Sequence, residues 1–364
     1  MLFYTHTEDL KAALALALSA VPSRPSHPVL GCFKLTVAGS ILTITSFDLS
    51  IGIESTVEVD VHQIGECCVP AGLFSSIVSK LQNNLKIELN DGGNDLSITT
   101  EDGEYSIHTM SPDEFPTINE PEGSSIVLPA FVVESAFKST LFSVSSDETK
   151  QILTGVNIKG TGTEVKFGAT DGHRLAKYEA PDISDTFLMT LPLKAANIIN
   201  KLCSTSDEIG LKINSNLAQF RVADTKVTTR LLEGDYPQYD SLLPDTFSTN
   251  FTVDRREFIF ALSRIAVISN HGTNIVRMVI TEDTLELLTA STDVGDAMEK
   301  LPIQLIGDPM QIAFKLVYLV ESLRHLETTE VQVSLNSNTS PVIITPLGGS
   351  NNVKHLIMPV QIRD

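Results

Sequence analysis

Tryptophan is absent from the 364 residues, and aromatic side chains of all kinds make up only 6%. Cysteine is almost as scarce. The four, Cys32, Cys67, Cys68 and Cys203, include no C-x-x-C pair and are too few to staple a chain of this length, which points to buried thiols in a reducing compartment, the cytoplasm. No stretch approaches the roughly 20 apolar residues that span a bilayer, so no membrane helix is expected. The apolar run 10–21 is like the core of a signal peptide, but Glu8 and Asp9 precede it where a basic segment would stand, and Lys11 interrupts it. It is expected to be a helix of the mature protein. Bases are also few: 26 against 45 acids give a formal charge of −19, a balance that ordinarily argues against nucleic-acid partners. Local catalytic signatures are missing as well. There is no G-x-x-x-x-G-K-[ST], H-E-x-x-H, G-x-S-x-G or G-x-G-x-x-G, and Gly160-Thr161-Gly162 is only a turn.

What is present is a unit repeated three times. With 42% hydrophobic residues and a mean hydropathy of +0.11, the chain can bury several cores. Phe115-Pro116, Tyr236-Pro237 and Met358-Pro359 place prolines 121 and 122 residues apart. Apolar-periodic stretches opening at Val69-Pro70, Leu191-Pro192 and Phe314 start 122 and 123 apart. Helical spacings recur at Leu10, Ala13, Leu14, at Val133, Ala136, Phe137, and at Phe258, Ala261, Leu262, offset by 123 and 125. Between them lie alternating or β-branched segments, 35–37, 42–45, 156–158, 165–167, 285–287 and 331–333, bounded by turns such as 91–93. Each unit therefore reads as helix, strands, helix, strands, an α+β layer and not a βαβ alternation. The expected domains are 1–121, 122–246 and 247–364, with boundary segments at 120–125 and 244–249.

One polar cluster stands out: Ala169-Thr170-Asp171-Gly172-His173-Arg174-Leu175-Ala176, directly after the strand 165–167. Asp171 and His173 have the chemistry of an acid/base pair or of two metal ligands, while Asp and Gly also supply ordinary turn geometry, which is the favoured reading. The matching stretches at 45–48 and 289–291 carry no His-Arg, so whatever this cluster does, the middle unit alone does it. An enzyme built on Asp171, His173 and Arg174, and a three-module structural or adhesion protein, are the competing classes.

The cluster, in the second of three repeats, strongly resembles the bacterial sliding clamp family, the β subunit of DNA polymerase III. Residues 24–30 resemble its Arg-Pro loop, 232–239 its second-domain segment and 355–360 its Met-Pro terminus; the tail 361–364 extends beyond that ending. The resemblance implies a non-enzymatic processivity factor without cofactor or metal: a head-to-tail homodimer closed into a six-domain ring, helices inside, strands outside, around duplex DNA. It also implies a separate ATP-driven clamp loader, and a groove for linear motifs of DNA polymerase III and other DNA polymerases. That groove falls on Leu153, Thr170, Gly172, His173, Arg174, Leu175, Pro237, Leu242, Met358, Pro359 and Val360. Tyr105 and Ile107, with Val267 and Ile268, fall on its dimer contact.

Charge distribution agrees with the DNA expectation. The six helical segments 6–20, 69–82, 128–145, 191–203, 253–270 and 314–327 together carry +3, leaving −22 for the rest of the chain. Candidate phosphate-facing residues are Arg24, Lys80, Lys138, Lys194, Lys201, Arg255 and Arg264, with Lys11, Arg256 and Arg324. A closed ring holds DNA topologically and needs only a weakly positive bore.

Overall fold

The fold is that of a computed structural model describing residues 1–90, 92–348 and 352–361. Asp91 of the expected turn 91–93 and residues 362–364 of the tail lie outside the described residues. Six α-helices occur among the described residues: α1 (Thr7–Leu18), α2 (Ala71–Lys80), α3 (Ala130–Thr140), α4 (Leu193–Leu202), α5 (Arg255–Ser269) and α6 (Leu316–Arg324). The run 10–21 supplies most of α1, which buries Leu10, Ala13, Leu14 and Ala17.

One hydrogen bond recurs in every repeat. The first residue of the first helix donates its backbone N–H to the residue just before the strand that follows the second helix: Thr7 to Asn83 O (3.1 Å), Ala130 to Asp207 O (2.8 Å) and Arg255 to Thr329 O (2.8 Å). The Xaa-Pro anchor, by contrast, is not equivalent in all three. Phe115 and Tyr236 come several residues after the last strands of their repeats, which end at His108 and Arg230, whereas Met358 follows the strand Val353–Ile357 directly. The first two pairs lie in connections to the next repeat; the third leaves a sheet.

Two compact units divide the chain, Met1–Phe131 with Asn197–Leu231, and Val132–Ala196 with Leu232–Asp364. The cut runs through the middle repeat because sheets, not loops, join the repeats. In the first unit an eight-stranded sheet pairs Thr225–Arg230 of the second repeat with Ile51–Glu58 of the first, antiparallel. In the second unit a nine-stranded sheet pairs Val353–Ile357 of the third repeat with Arg174–Pro181 of the second, again antiparallel. Each junction thereby covers two strand edges. A five-stranded sheet in the first unit ends on Glu104–His108, and a four-stranded sheet in the second ends on Gly295–Pro302.

Lacking tryptophan, the cores are filled by phenylalanine. Phe3, Phe33 and Phe74 are fully buried in the first repeat, Phe137, Phe167 and Phe220 in the second, Phe251, Phe258 and Phe314 in the third. Only Phe3 and Phe251 occupy matching positions, so the repeats keep apolar volume and pattern and not identity.

Candidate functional site

Residues 171–173 form the turn between the paired strands Glu164–Thr170 and Arg174–Pro181. Asp171 closes this turn, Oδ1 accepting the backbone N–H groups of His173 (2.8 Å) and Arg174 (3.0 Å). Thr170 Oγ1 accepts from Gly172 N–H (3.1 Å) and donates to Arg174 O (2.6 Å). Gly172 sits at φ +93°, a left-handed conformation that glycine adopts without strain. The Asp171 carboxylate is thus committed to backbone and to Arg174 Nε (3.1 Å), and the His173 ring lies parallel to Tyr318 at 6.2 Å. This is turn chemistry, not an acid/base pair. Among the described residues, no group of three or more His, Cys, Asp or Glu is placed to hold a metal ion.

Arg174 requires a correction. Expected as the charged residue of a binding groove, it is buried and bonded to Asp171, to Glu321 of α6 and to the Phe142 carbonyl (2.7 Å). Its guanidinium also lies 5.2 Å from the Phe142 ring centre and 4.8 Å from that of Tyr318. So fully engaged a group fastens the turn to α6 and offers no free charge to a ligand. Nothing local in the sequence marks Phe142, Tyr318 or Glu321 as its partners, because they lie 32 to 147 residues away and only the fold brings them to it.

The turn meets two distant segments. Met358 N–H donates to His173 O (2.9 Å), and Thr170 N–H donates to Tyr236 Oη (3.0 Å). Burial, opposed by that hydrogen bond, pushes the Tyr236 phenol up to about 12. Beneath them Leu153, Leu175, Tyr236, Tyr239, Ile343 and Leu356 form one buried cluster, against which Leu243 and Phe247 pack. Leu153, Thr170 and Leu175 are therefore floor, not rim. Of the other expected groove residues, Leu242 is 53% exposed and Met358 40%, Gly172, His173 and Pro237 are exposed, and Pro359 and Val360 are half-buried, with Val360 N–H donating to Ala313 O (2.8 Å) in the third repeat. An apolar floor under a rim of exposed Leu and Met is a surface on which an extended apolar segment can lie.

The first unit repeats this junction and fills it. Asp48 Oδ1 accepts from Ser50 N–H (2.9 Å) and Ile51 N–H (2.6 Å), Leu49 takes φ +73°, and Arg230 N–H donates to Ser50 O (2.9 Å), matching Asp171, Gly172 and the Met358–His173 bond in turn. Where the second junction has Leu175 the first has Gly52, and a Cβ there would stand 2.6 Å from Ile118 Cδ1. The chain's own connection occupies the space.

The basic candidates divide by their partners. Lys11 pairs with Glu8 (3.0 Å) and Lys138 with Glu134 (2.7 Å). Arg264 is held by both oxygens of Glu299, at 2.8 Å each, which keeps the Glu299 carboxyl below its ordinary range. Arg255 donates to Thr328 O (2.6 Å) and Leu323 O (3.1 Å), securing the end of α6. Arg255 and Arg264, expected to face phosphate, are thus spent on the fold. Lys194 is exposed on α4, and Arg24, Lys80, Lys201, Arg256 and Arg324 are exposed without an ion pair among the described residues.

Of the expected dimer residues, Tyr105 is 40% exposed and Val267 65%, and Ile268 is half-buried. Ile107 is corrected in its side chain alone: at 2% exposure that side chain packs in the first repeat's core with Phe3 and Leu10, which leaves only the backbone of Ile107 on the edge strand.

Comparison with known proteins decides the family. Models of the DNA polymerase III beta subunit match in succession, the N-terminal domain over residues 1–119, the central domain over 127–238 and the C-terminal domain over 240–361. The chain belongs to the DNA polymerase III beta subunit family. The beta sliding clamp of Synechococcus elongatus is 38% identical over 367 residues, covering 98% of each chain. Among solved structures, the DNA polymerase sliding clamp of Bacillus subtilis superposes with a TM-score of 0.94 at 27% identity, covering all of both chains. A Pseudomonas aeruginosa sliding clamp solved with griselimycin bound shares the fold, with a TM-score of 0.95 at 24% identity over the whole of both chains. Sliding clamps are non-catalytic processivity factors of the polymerase, and this chain functions as one. No helix among the described residues is long and apolar enough to cross a membrane.

Proposed function

We propose that the groove of the second unit is where this clamp holds its polymerase and other DNA enzymes, through short extended apolar motifs. The observation that carries this reading is the Met358 N–H···O His173 bond, which sets the C-terminal segment and the middle-repeat turn side by side above one apolar floor. Griselimycin is proposed to occupy the same place. Deleting residues 358–364 removes one wall, and loss of a central anchor costs on the order of 2 kcal/mol, roughly thirtyfold in affinity. Griselimycin and polymerase binding are expected to collapse while the protein stays on circular DNA until that DNA is linearised. Unchanged affinity in the truncated protein would refute the assignment.

Ring closure follows from the rule that joins the repeats. Each internal junction pairs the strand after the turn with the last strand of the next repeat, Ile51 opposite Thr229 and Arg174 opposite Ile357. The two strands left over are Gly295–Pro302, which follows the third repeat's turn, and Glu104–His108, the last strand of the first. Carried through the repeat, the same register sets Gly295 opposite Ile107 of the partner subunit and Ala297 opposite Tyr105 of the partner subunit. A head-to-tail dimer thus has two equivalent closures, each pairing one of these edge strands with its counterpart in the other subunit. The clamp domains are taken as 1–121, 122–246 and 247–364, the compartment as the cytoplasm, and the DNA contacts as Arg24, Lys80, Lys194 and Lys201, non-specific and subordinate to topology. Loading onto DNA falls to a separate ATP-driven clamp loader.

A further inference from the structure

Along the strand Arg174–Pro181, residues 175, 177 and 179 point to one face, so the face that begins with Leu175 in the groove floor continues into charge. Lys177 is 6% exposed there. Its ammonium bonds Glu179 (2.6 Å) and Asp240, and the neighbouring Lys166 reaches Glu164 (3.0 Å), Glu179 (3.1 Å) and Asp240 (3.8 Å). Burial works to raise the Asp240 carboxyl, yet Lys177 and Lys166 hold it below its ordinary range. Asp240 lies in the short turn Tyr239–Leu242, which carries the exposed rim residue Leu242. The turn has a second footing: the Tyr239 ring lies on Gly168, where any Cβ would collide with it, and Tyr239 Oη donates to Asn157 Oδ1 (3.4 Å).

We infer that Lys177 is a positioning residue for the groove: through Asp240 it fixes the 239–242 turn and so the place of Leu242 above the floor. A buried ammonium has no low-energy alternative to its carboxylates, which makes it a stiffer anchor than an exposed pair. Tyr239 fixes where the turn sits, and Asp240 fixes which way its exposed end faces. Lys177 and Asp240 act on the groove through Leu242. The inference rests on the groove reading above.

The test is a set of griselimycin titrations, made well below the unfolding temperature, on the full-length protein and on Lys177→Met, Asp240→Asn, Leu242→Ala and the doubles Lys177→Met/Asp240→Asn and Lys177→Met/Leu242→Ala. Lys177→Met and Asp240→Asn are each expected to weaken binding about tenfold, their double no further, and Asp240→Glu to restore most of it. Lys177→Met added to Leu242→Ala is expected to lower stability but not affinity, which a merely structural lysine would not produce. If Leu242→Ala binds normally, the groove reading fails and this inference with it. If Leu242→Ala weakens binding and Asp240→Asn does not, the groove stands and the positioning role is overturned. Should Lys177→Met not fold, Asp240→Asn, whose side chain is half exposed, decides the matter alone.

Discussion

Two buried polar residues beside the groove make opposite demands on the fold. Arg174 satisfies Asp171, Glu321 and the Phe142 carbonyl at once, a fork that a lysine cannot reproduce. Arg174→Lys and Arg174→Ala are both expected to destabilise by about 2 kcal/mol in urea unfolding, since each leaves partly buried carboxylates short of a partner. His355 is fully buried with Nδ1 3.1 Å from Ser322 O and Nε2 3.0 Å from Ser139 O, and a neutral ring can donate to only one of them. Burial, which outweighs both carbonyls, pulls its pKa down to about 3 from the ordinary 6.5. A histidine so depressed takes up its proton on unfolding: its contribution is intact above about 6.5 and drains away as pH falls toward 3. Melting temperatures between pH 7 and 4 are expected to fall more steeply for the native protein than for His355→Gln; equal slopes would mean that His355 is not the group responsible.

Among the elements, the two leftover edge strands and the end of α5 separate packing from association. Val267→Asp and Tyr105→Ala alter exposed positions, so both are expected to give a folded protein of one chain mass by light scattering, with an unchanged circular dichroism spectrum. Ile107→Ala alters the core on the same strand and is expected to cost 2–5 kcal/mol of stability, whatever its effect on the dimer. A dimer that survives Val267→Asp would remove α5 from the interface. The acidic partners of Lys177 belong to this scale as well. With Asp240 and Glu179 both held below the ordinary carboxylate range, their stabilising effect is present above that range and lost as acid protonates them through the folded values.

For the whole molecule, the acidic balance governs long-range attraction and leaves topology untouched. Arg24→Ala and Lys201→Ala, which remove exposed bases that have no ion pair among the described residues, are each expected to lower the slope of log affinity against log salt by about one unit for short linear DNA, independent of sequence. Arg264→Ala, whose charge Glu299 already holds, is expected to leave that slope unchanged, and a change of one unit there would return Arg264 to the DNA surface. The repeat, the helix pairs and the α+β layering were legible in sequence because period and apolar spacing are local properties that recur. The motif 169–176 was legible as a turn for the same reason: Asp-Gly geometry needs no distant partner. The third Xaa-Pro pair misled, since its spacing matched by number while Met358 leaves a strand that Phe115 and Tyr236 have already left behind. Burial of Ile107 among Phe3 and Leu10 and the engagement of Arg174, Arg255 and Arg264 depend on contacts with segments from 32 to 147 residues away, which no window along the chain contains. By itself, then, the sequence determined the three units and the turn, through periodicity and backbone preference. Only the tertiary structure decided how the two junctions differ, because Ile118 covers Gly52 in one while Leu175 in the other packs with Leu153, Tyr236 and Leu356, contacts between segments far apart in the chain.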